Sequence, residues 1–532
     1  MIFISHSSKD IEQVMQWCCF AESMGKECFV SERDLDKKKT SWRNELINAI
    51  EDCDKVLLVL TRNAIKSGEV ENEISKASAL RKIVIPLITE EFDIPDDFSY
   101  MINKYEWILA YQLEPETIRD ILRNRILEND NEKREEFWNI TQSKPFKKFS
   151  LEVMRKYYGE EFFMHINGNE FPVFAVQGTM FGDVASIKDF DSLCDFDNSD
   201  IADFDIEEHH NYSSNEYYAE YSRILEGKIR YPNRPGYMLD ELDLNEDGLV
   251  DQIRVHVGTY AENVYSCHVL EYELYRAFMA FGNENLDNPE VWRKVKDFLI
   301  IRNRIHGKIG EKGAPNFYDR MYRSLLRGDG RDSLLSVQML VIVRSKRTGK
   351  YEAKIIQRSK QVAVAPGIFQ FIPSGGFEIL NDSDDNIYDD IELEENFSPG
   401  CAVFREFLEE LFNVPELEGG GTGSIEDRLL KDPRIVEIEE MLQDGRATLR
   451  FLGSVMDLVG LRHELSFVLV IHDPLFSQNR FIANEECKKG LVYDIPIDMF
   501  EKKVSVWKNI HGPSAAMWKF FKESELYWKL VK

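Results

Sequence analysis

Arg405-Glu406-Phe407-Leu408-Glu409-Glu410-Leu411 is the stretch whose periodicity decides how the carboxyl-terminal part of this chain folds. Ser398 is placed to cap a helix there, and Pro399 suits its first turn. At about 100° per residue, Glu406, Glu409 and Glu410 fall within one arc. Phe404, Phe407, Leu408 and Leu411 take the opposite side and would anchor the helix to a core. Three carboxylates on one arc repel each other unless a hard cation sits between them. Oxygen-only ligation of that kind suits Mg2+ or Mn2+, ions that also hold substrate phosphates. The plainer alternative is a solvated acidic face.

Upstream, residues 337–343 and 353–358 read as a pair of strands, followed by Phe369-Gln370-Phe371-Ile372-Pro373-Ser374-Gly375-Gly376-Phe377-Glu378. From about 336 to 532 the chain resembles the Nudix hydrolases, whose signature runs from a glycine, through a glutamate-bearing loop, to an Arg-Glu-apolar-x-Glu-Glu helix. The resemblance implies an α/β/α sandwich in which Glu406, Glu409 and Glu410 bind the metal. It also implies that Arg405 buttresses the loop carrying Gly375 and Gly376. Two departures stand out: the acidic run 381–395 lengthens the gap between Gly376 and Arg405, and Phe412 stands where a glycine usually ends the motif. Family members with altered loops often only bind nucleotides, so binding and hydrolysis both stay open.

The other end begins Met1-Ile2-Phe3-Ile4-Ser5-His6-Ser7-Ser8-Lys9-Asp10, an apolar strand breaking into a polar turn. A helical segment over 11–24 stops at Gly25. Strands follow at 27–30, 55–61, 82–88 and 105–110, with helices near 42–50 and over 70–80. Strands alternating with helices predict a parallel sheet covered on both faces, with functional groups gathered at the carboxyl ends of the strands.

This arrangement resembles a bacterial Toll/interleukin-1 receptor (TIR) domain with a flavodoxin-like sheet. The matching pieces are Phe3-Ile4-Ser5-His6-Ser7-Ser8-Lys9-Asp10, Glu32-Arg33-Asp34-Leu35, Ser41-Trp42, and Ser67-x-x-Val70-x-x-Glu73-Ile74 before Ile83-Val84-Ile85-Pro86. For TIR domains that cleave NAD+, the resemblance implies that Glu73 is catalytic and that Ser5, His6, Arg33, Asp34 and Trp42 line the nucleotide pocket. The loop 36–40 lacks the usual glycine, and Glu69 stands where many such enzymes carry tryptophan. The chemistry suits a single carboxylate. Breaking the nicotinamide–ribose bond puts oxocarbenium character on the ribose, which a carboxylate stabilises, while the pyridine leaves neutral without a general acid. The competing reading makes Glu73 an ordinary surface glutamate beside Glu69 and Glu71.

At 532 residues the chain is too long for one core. Three segments are expected: a TIR domain over 1–128, an unassigned α+β region over 129–335, and the Nudix-like domain over 336–532. A formal charge of -28 disfavours unaided binding to nucleic acid or an anionic membrane surface. The eight cysteines show no zinc spacing. No apolar run approaches the ~20 residues of a membrane span, and the opening strand argues against a signal peptide, so a cytoplasmic protein is expected.

In the middle, 114–134 is charged and helix-prone, 149–181 mixes a helix with aromatic-rich strands, and helices are expected over 269–281 and 291–305. Asp243-Leu244-Asn245-Glu246-Asp247-Gly248 mimics half a calcium loop, but Arg254 stands where the closing glutamate should be, so it reads as a turn between strands. The glycine-rich run 419–424 lacks a following lysine and reads as a flexible loop. His209 and His210 adjoin in an acidic stretch, a weak candidate for metal.

An NAD+-cleaving domain endangers its own cell, and its fusion to a nucleotide-binding fold supplies a trigger. The first expectation is an anti-phage effector whose TIR domain cleaves NAD+ once a nucleotide or second messenger binds the Nudix-like half and drives homo-oligomer assembly. The alternatives are a Nudix-type hydrolase of ADP-ribose-like products and a non-enzymatic TIR adaptor.

Overall fold

The computed structural model describes the chain except residues 24, 36–41, 81, 93, 103–104, 106, 128–129, 180–182, 197–216, 218–219, 222–223, 225–234, 309–316, 359–366, 380–396, 416–424, 477–480 and 482–486. The acidic run 381–395, the glycine run 419–424, the histidine pair 209–210 and the loop 36–40 therefore lie outside the described residues. The chain divides into two compact units, Met1–Trp138 with Ser222–Arg230, and Asn139–Tyr221 with Tyr231–Lys532.

In the first unit, strands β1 (Ile2–Ser5), β2 (Cys28–Phe29), β3 (Lys55–Leu60), β4 (Ile83–Ile88) and β5 (Ile108–Leu109) form one sheet in the order β2-β1-β3-β4-β5. All its pairings are parallel. Helices α1 (Ile11–Ser23), α2 (Ser31–Asp34), α3 (Trp42–Asp52), α4 (Gly68–Ala79), α5 (Asp96–Ile102) and α6 (Pro115–Leu127) alternate with the strands. Successive β1 residues point to opposite faces, and each face has its own core. Ile2 and Ile4 pack with Val14 and Cys18 of α1 and Leu122 of α6, whereas Phe3 packs with Ala49 of α3 and Val70 and Ile74 of α4. Central strands buried on both faces are mostly apolar, which is why β3 from Val56 onward and β4 read as continuous hydrophobic runs; the buried Lys55 that opens β3 donates its ammonium to the Arg125 carbonyl. The outer strands are shorter than the sequence implies: only Leu87–Ile108 and Ile88–Leu109 register between β4 and β5. Gly25, at φ 78°, supplies the left-handed turn after α1.

The second unit is organised on a sheet built from β6 (Phe163–Ile166), β7 (Asn169–Gln177), β11 (Ser336–Arg344), β12 (Tyr351–Arg358), β13 (Phe369–Phe371), β14 (Ser374–Gly376), β15 (Ala447–Asp457), β16 (Arg462–Ile471) and β17 (Cys487–Pro496). The main path runs β13-β12-β11-β16-β15-β7-β6, with β14 on β11 and β17 on β12. A smaller sheet holds β8 (Cys194–Phe196), β9 (Pro235–Leu244) and β10 (Val250–Thr259). Leu340, Ile342, Val468 and Val470 on one face of the large sheet pack under Ala515, Ala516 and Trp518 of the helix Gly512–Glu523. The opposite face receives the helix Pro399–Phe412, whose Glu406 abuts Gly375, paired with Val337. That is an α/β/α sandwich.

The sequence separates 129–335 from 336–532, but β7 pairs with β15 from Val173–Asp457 to Gln177–Gly453, so the two segments share one sheet. A buried arginine adds to the join. Arg302, 0 % exposed, donates to Tyr158 Oη at 2.8 Å and to the carbonyls of Leu458 and Val459 at 2.5 and 2.8 Å, with Glu273 Oε2 3.8 Å from its Nε. The calcium-like stretch is a hairpin turn: Asn245 Oδ1 accepts from the Asp247 and Leu249 amides, and Asp243 pairs with Arg254. The helix expected over 291–305 breaks at Leu299 into Pro289–Phe298 and Ile300–Lys308.

Candidate functional site

Helix α4 starts where Ser67 accepts a hydrogen bond from the Val70 amide, a normal side-chain N-cap. Its buried positions are Val70, Glu73, Ile74 and Ala77, the spacing of a core-facing stripe. Glu73 is thus a carboxylate in a place that packing alone would give to a leucine, and it is only 7 % exposed. Its partner is Ser5 at the carboxyl end of β1, whose Oγ donates to Glu73 Oε2 at 2.7 Å. Burial pushes the Glu73 pKa up to about 7, and the Ser5 bond and the His6 charge oppose this without cancelling it.

His6 follows on the same strand end. Its Nδ1 is 2.9 Å from the Ile4 carbonyl, and its Nε2 lies 2.7 Å from Glu32 Oε2. Burial works against a charge on the ring, but Glu32, the Ile4 carbonyl and Glu73 outweigh it and raise the His6 pKa. Asp10 fixes the turn after β1 by accepting from Thr61 Oγ1 and Asn63 Nδ2 at 2.5 and 2.6 Å. The result is a carboxylate, a hydroxyl and an imidazole held together at the carboxyl ends of parallel strands, where α/β folds place ligands.

Of the residues expected around Glu73, the structure brings Ser5 and His6 to it. Arg33 is engaged elsewhere: Nη1 donates to Glu22 Oε1 at 2.6 Å, Nε to Asp34 Oδ1 at 2.8 Å, and Nη2 to the Cys28 carbonyl. Asp34 also accepts from the Val30 amide at 2.8 Å, so it ties α2 to the end of β2. Trp42 is half-buried at the start of α3, with the Arg43 guanidinium 5.4 Å from its ring centre. Glu32, which sequence reasoning passed over in favour of Arg33 and Asp34, is the member of that motif that reaches His6.

The second candidate lies on the helix Pro399–Phe412. Ser398 accepts from the Cys401 amide at 3.2 Å and Asn413 ends the helix at φ 52°, so the left-handed residue that a terminal glycine would provide comes one position after Phe412. Phe412 instead packs its ring against Phe407 and Phe481. Arg405 donates to the Gly376 and Glu378 carbonyls at 3.2 and 3.3 Å and so buttresses the glycine loop. It also stands between two of the acids, 3.1 Å from Glu406 Oε1 and 3.9 Å from Glu409 Oε1. Glu410 accepts from the Ser374 amide at 2.7 Å. A Cβ on Gly375 would lie 2.1 Å from the Glu406 carboxyl carbon, so only glycine lets that carboxylate sit against the strand. Hard oxygen donors and a glycine cradle fit a divalent cation. Among the described residues, however, the trio is not drawn in tightly enough for all three to lie within 4.8 Å of one another.

Among the described residues no helix is long and apolar enough to cross a membrane. No curated protein matches the chain. Solved structures similar to it include the TIR domain of the Toll-related receptor TRR-2 from Hydra magnipapillata, at 20% identity over 24% of this chain and 98% of that one, TM-score 0.21. A NUDIX hydrolase from Alicyclobacillus acidocaldarius aligns at 14% identity over 35% of this chain and 90% of that one, TM-score 0.22. A MutT/nudix family protein from Enterococcus faecalis aligns at 16% identity over 36% and 53%, TM-score 0.17. The family model described as TIR domain matches residues 2–122, so the chain carries a TIR domain at its amino-terminal end.

Proposed function

We propose that the TIR domain cleaves NAD+ at the nicotinamide–ribose bond, with Glu73 as the catalytic carboxylate. The observation that supports this most is the burial of Glu73 on the core stripe of α4, fastened to Ser5 at the carboxyl end of β1. Burying a carboxylate costs stability that the one Ser5 hydrogen bond offsets only in part, and here the group is oriented before any ligand arrives. In the reaction the C1′–N bond breaks and its electron pair leaves on the nicotinamide nitrogen. The carboxylate stabilises the oxocarbenium ion, and water or an internal hydroxyl closes onto C1′ and gives up a proton. Full-length Glu73→Gln should lose about 10²–10³ in rate while remaining folded, with products resolved by chromatography. Undiminished turnover in that variant refutes the assignment.

The carboxyl-terminal sandwich serves in this reading as the nucleotide sensor that controls the TIR domain, within an anti-phage defence effector that assembles as a homo-oligomer. Glu406, Glu409 and Glu410 would hold Mg2+ or Mn2+, which when bound neutralises the charge of a diphosphate. Arg405 and the Gly375–Gly376 backbone position that acidic edge. The same acids support a second reading, hydrolysis of a nucleoside diphosphate such as the ADP-ribose the first reaction yields. Metal-dependent loss of ADP-ribose from the purified protein, abolished by Glu409→Gln, would favour the enzyme over the sensor.

A further inference from the structure

Away from Ser5 and Glu73, the TIR domain brings three metal-ligating side chains together. Cys18 and Glu22 are one turn apart on α1, and Cys28 opens β2. One ligand atom from each lies within 4.8 Å of the others. Both thiols are buried and Glu22 is exposed, so the cluster has a wall and an entrance. The position between them already holds a cation, because Arg33 Nη1 is 2.6 Å from Glu22 Oε1 and 3.2 Å from Cys18 Sγ.

We propose that Cys18, Glu22 and Cys28 form a binding site for a thiophilic divalent cation of the Zn2+ type, which takes the place of the Arg33 guanidinium. Two sulfurs and one carboxylate suit zinc, with its fourth position left to water, and do not suit Mg2+ or Ca2+. The i, i+4 spacing on α1 presents Cys18 and Glu22 on one face, and β2 supplies the third ligand from a rigid strand. Burial keeps both thiols protonated in the metal-free protein. Binding therefore expels two protons, and the two thiolates and one carboxylate meet the ion's two positive charges with one negative charge to spare.

The site has a consequence for the rest of the domain. Arg33 and Glu32 are neighbours on the single turn of α2, and Glu32 carries the carboxylate 2.7 Å from His6. Releasing Arg33 from Glu22 and Cys18 removes one of the contacts that hold that turn, the Asp34 bond to the Val30 amide being another, so metal binding loosens the segment that carries Glu32 to His6.

The test uses the full-length protein under a non-thiol reductant, titrated with Cd2+ as a spectroscopic stand-in for Zn2+. The expected result is a saturable ultraviolet thiolate-to-cadmium band, competed away by a large excess of Zn2+, with release of about two protons per ion. Cys28→Ser should abolish the band, Glu22→Gln should weaken binding about tenfold or more, and Arg33→Ala should strengthen it by removing the competing cation. The exposed Cys19 and the separate exposed group Glu160, His165 and Glu170 supply the controls, so Cys19→Ser and His165→Ala should leave the band intact. Should Cys28→Ser not fold, the exposed Glu22 carries the test alone. No band in the wild-type protein, a band that survives Cys28→Ser, a band lost in Cys19→Ser, or unchanged affinity in both Glu22→Gln and Arg33→Ala would overturn the proposal.

Discussion

Replacing Glu73 by glutamine should stabilise the TIR domain at alkaline pH, and the size of the effect follows from the cost of burying its charge. The pKa rises from an ordinary 4.5 to about 7, a gap worth about 3 kcal/mol. A carboxyl whose folded pKa lies above its unfolded one contributes fully below pH 4.5, and that contribution is lost as pH rises towards 7. Glutamine stays neutral and escapes the loss. Its amide N–H groups need buried partners that a carboxyl does not, at about 1 kcal/mol. The net gain above pH 7 is therefore about 2 kcal/mol, vanishing and then reversing as the pH falls below the unfolded value. Because the chain holds two units, one melting curve would blend two transitions. Amide exchange in β3, the central strand buried at all six positions, reports the TIR unit directly. At pH 8 those amides should exchange about 30-fold more slowly in Glu73→Gln than in the wild type, and at pH 4 no more slowly. Equal protection at pH 8, or a difference that does not change with pH, would refute the argument that burial sets this carboxyl's charge.

Gly375→Ala should expel the Glu406 carboxylate from its place against β14, because the new Cβ would sit 2.1 Å from its Cδ, and any Mn2+-induced thermal stabilisation should shrink or vanish. The double change Glu409→Gln with Glu410→Gln should also remove the metal-induced shift. Carboxylate repulsion taken alone predicts a higher melting temperature for the metal-free double variant, but Arg405 and the Ser374 amide already serve these acids, so it should melt slightly lower. Arg302→Met should destabilise the second unit by about 3–5 kcal/mol in denaturant titration, since it leaves Glu273 and two carbonyls buried without their cation.

The sequence by itself determined the secondary elements of both ends, because each has a period that only one backbone satisfies. Continuous apolar runs at 56–60 and 83–88, short and rich in β-branched residues, fit strands covered on both faces, and the arc of Glu406, Glu409 and Glu410 opposite Phe404, Phe407 and Leu411 fits a helix seated on a core. That Glu73 lies on the buried stripe with Val70, Ile74 and Ala77, and not on a surface beside Glu69 and Glu71, is decided only by how α4 seats on the sheet. What the period cannot reveal is which strand end meets which helix. Ser5 reaches Glu73 across 68 residues, and Glu32 reaches His6 from a turn whose motif pointed instead to Arg33 and Asp34. The single sheet joining β7 to β15 was equally hidden, because strand pairing over such separations leaves no local signature in either segment. Local periodicity fixes what each segment becomes. The contacts that make a site, or bring a guanidinium between two thiols, depend on closing long loops, and only the packed tertiary structure decides those.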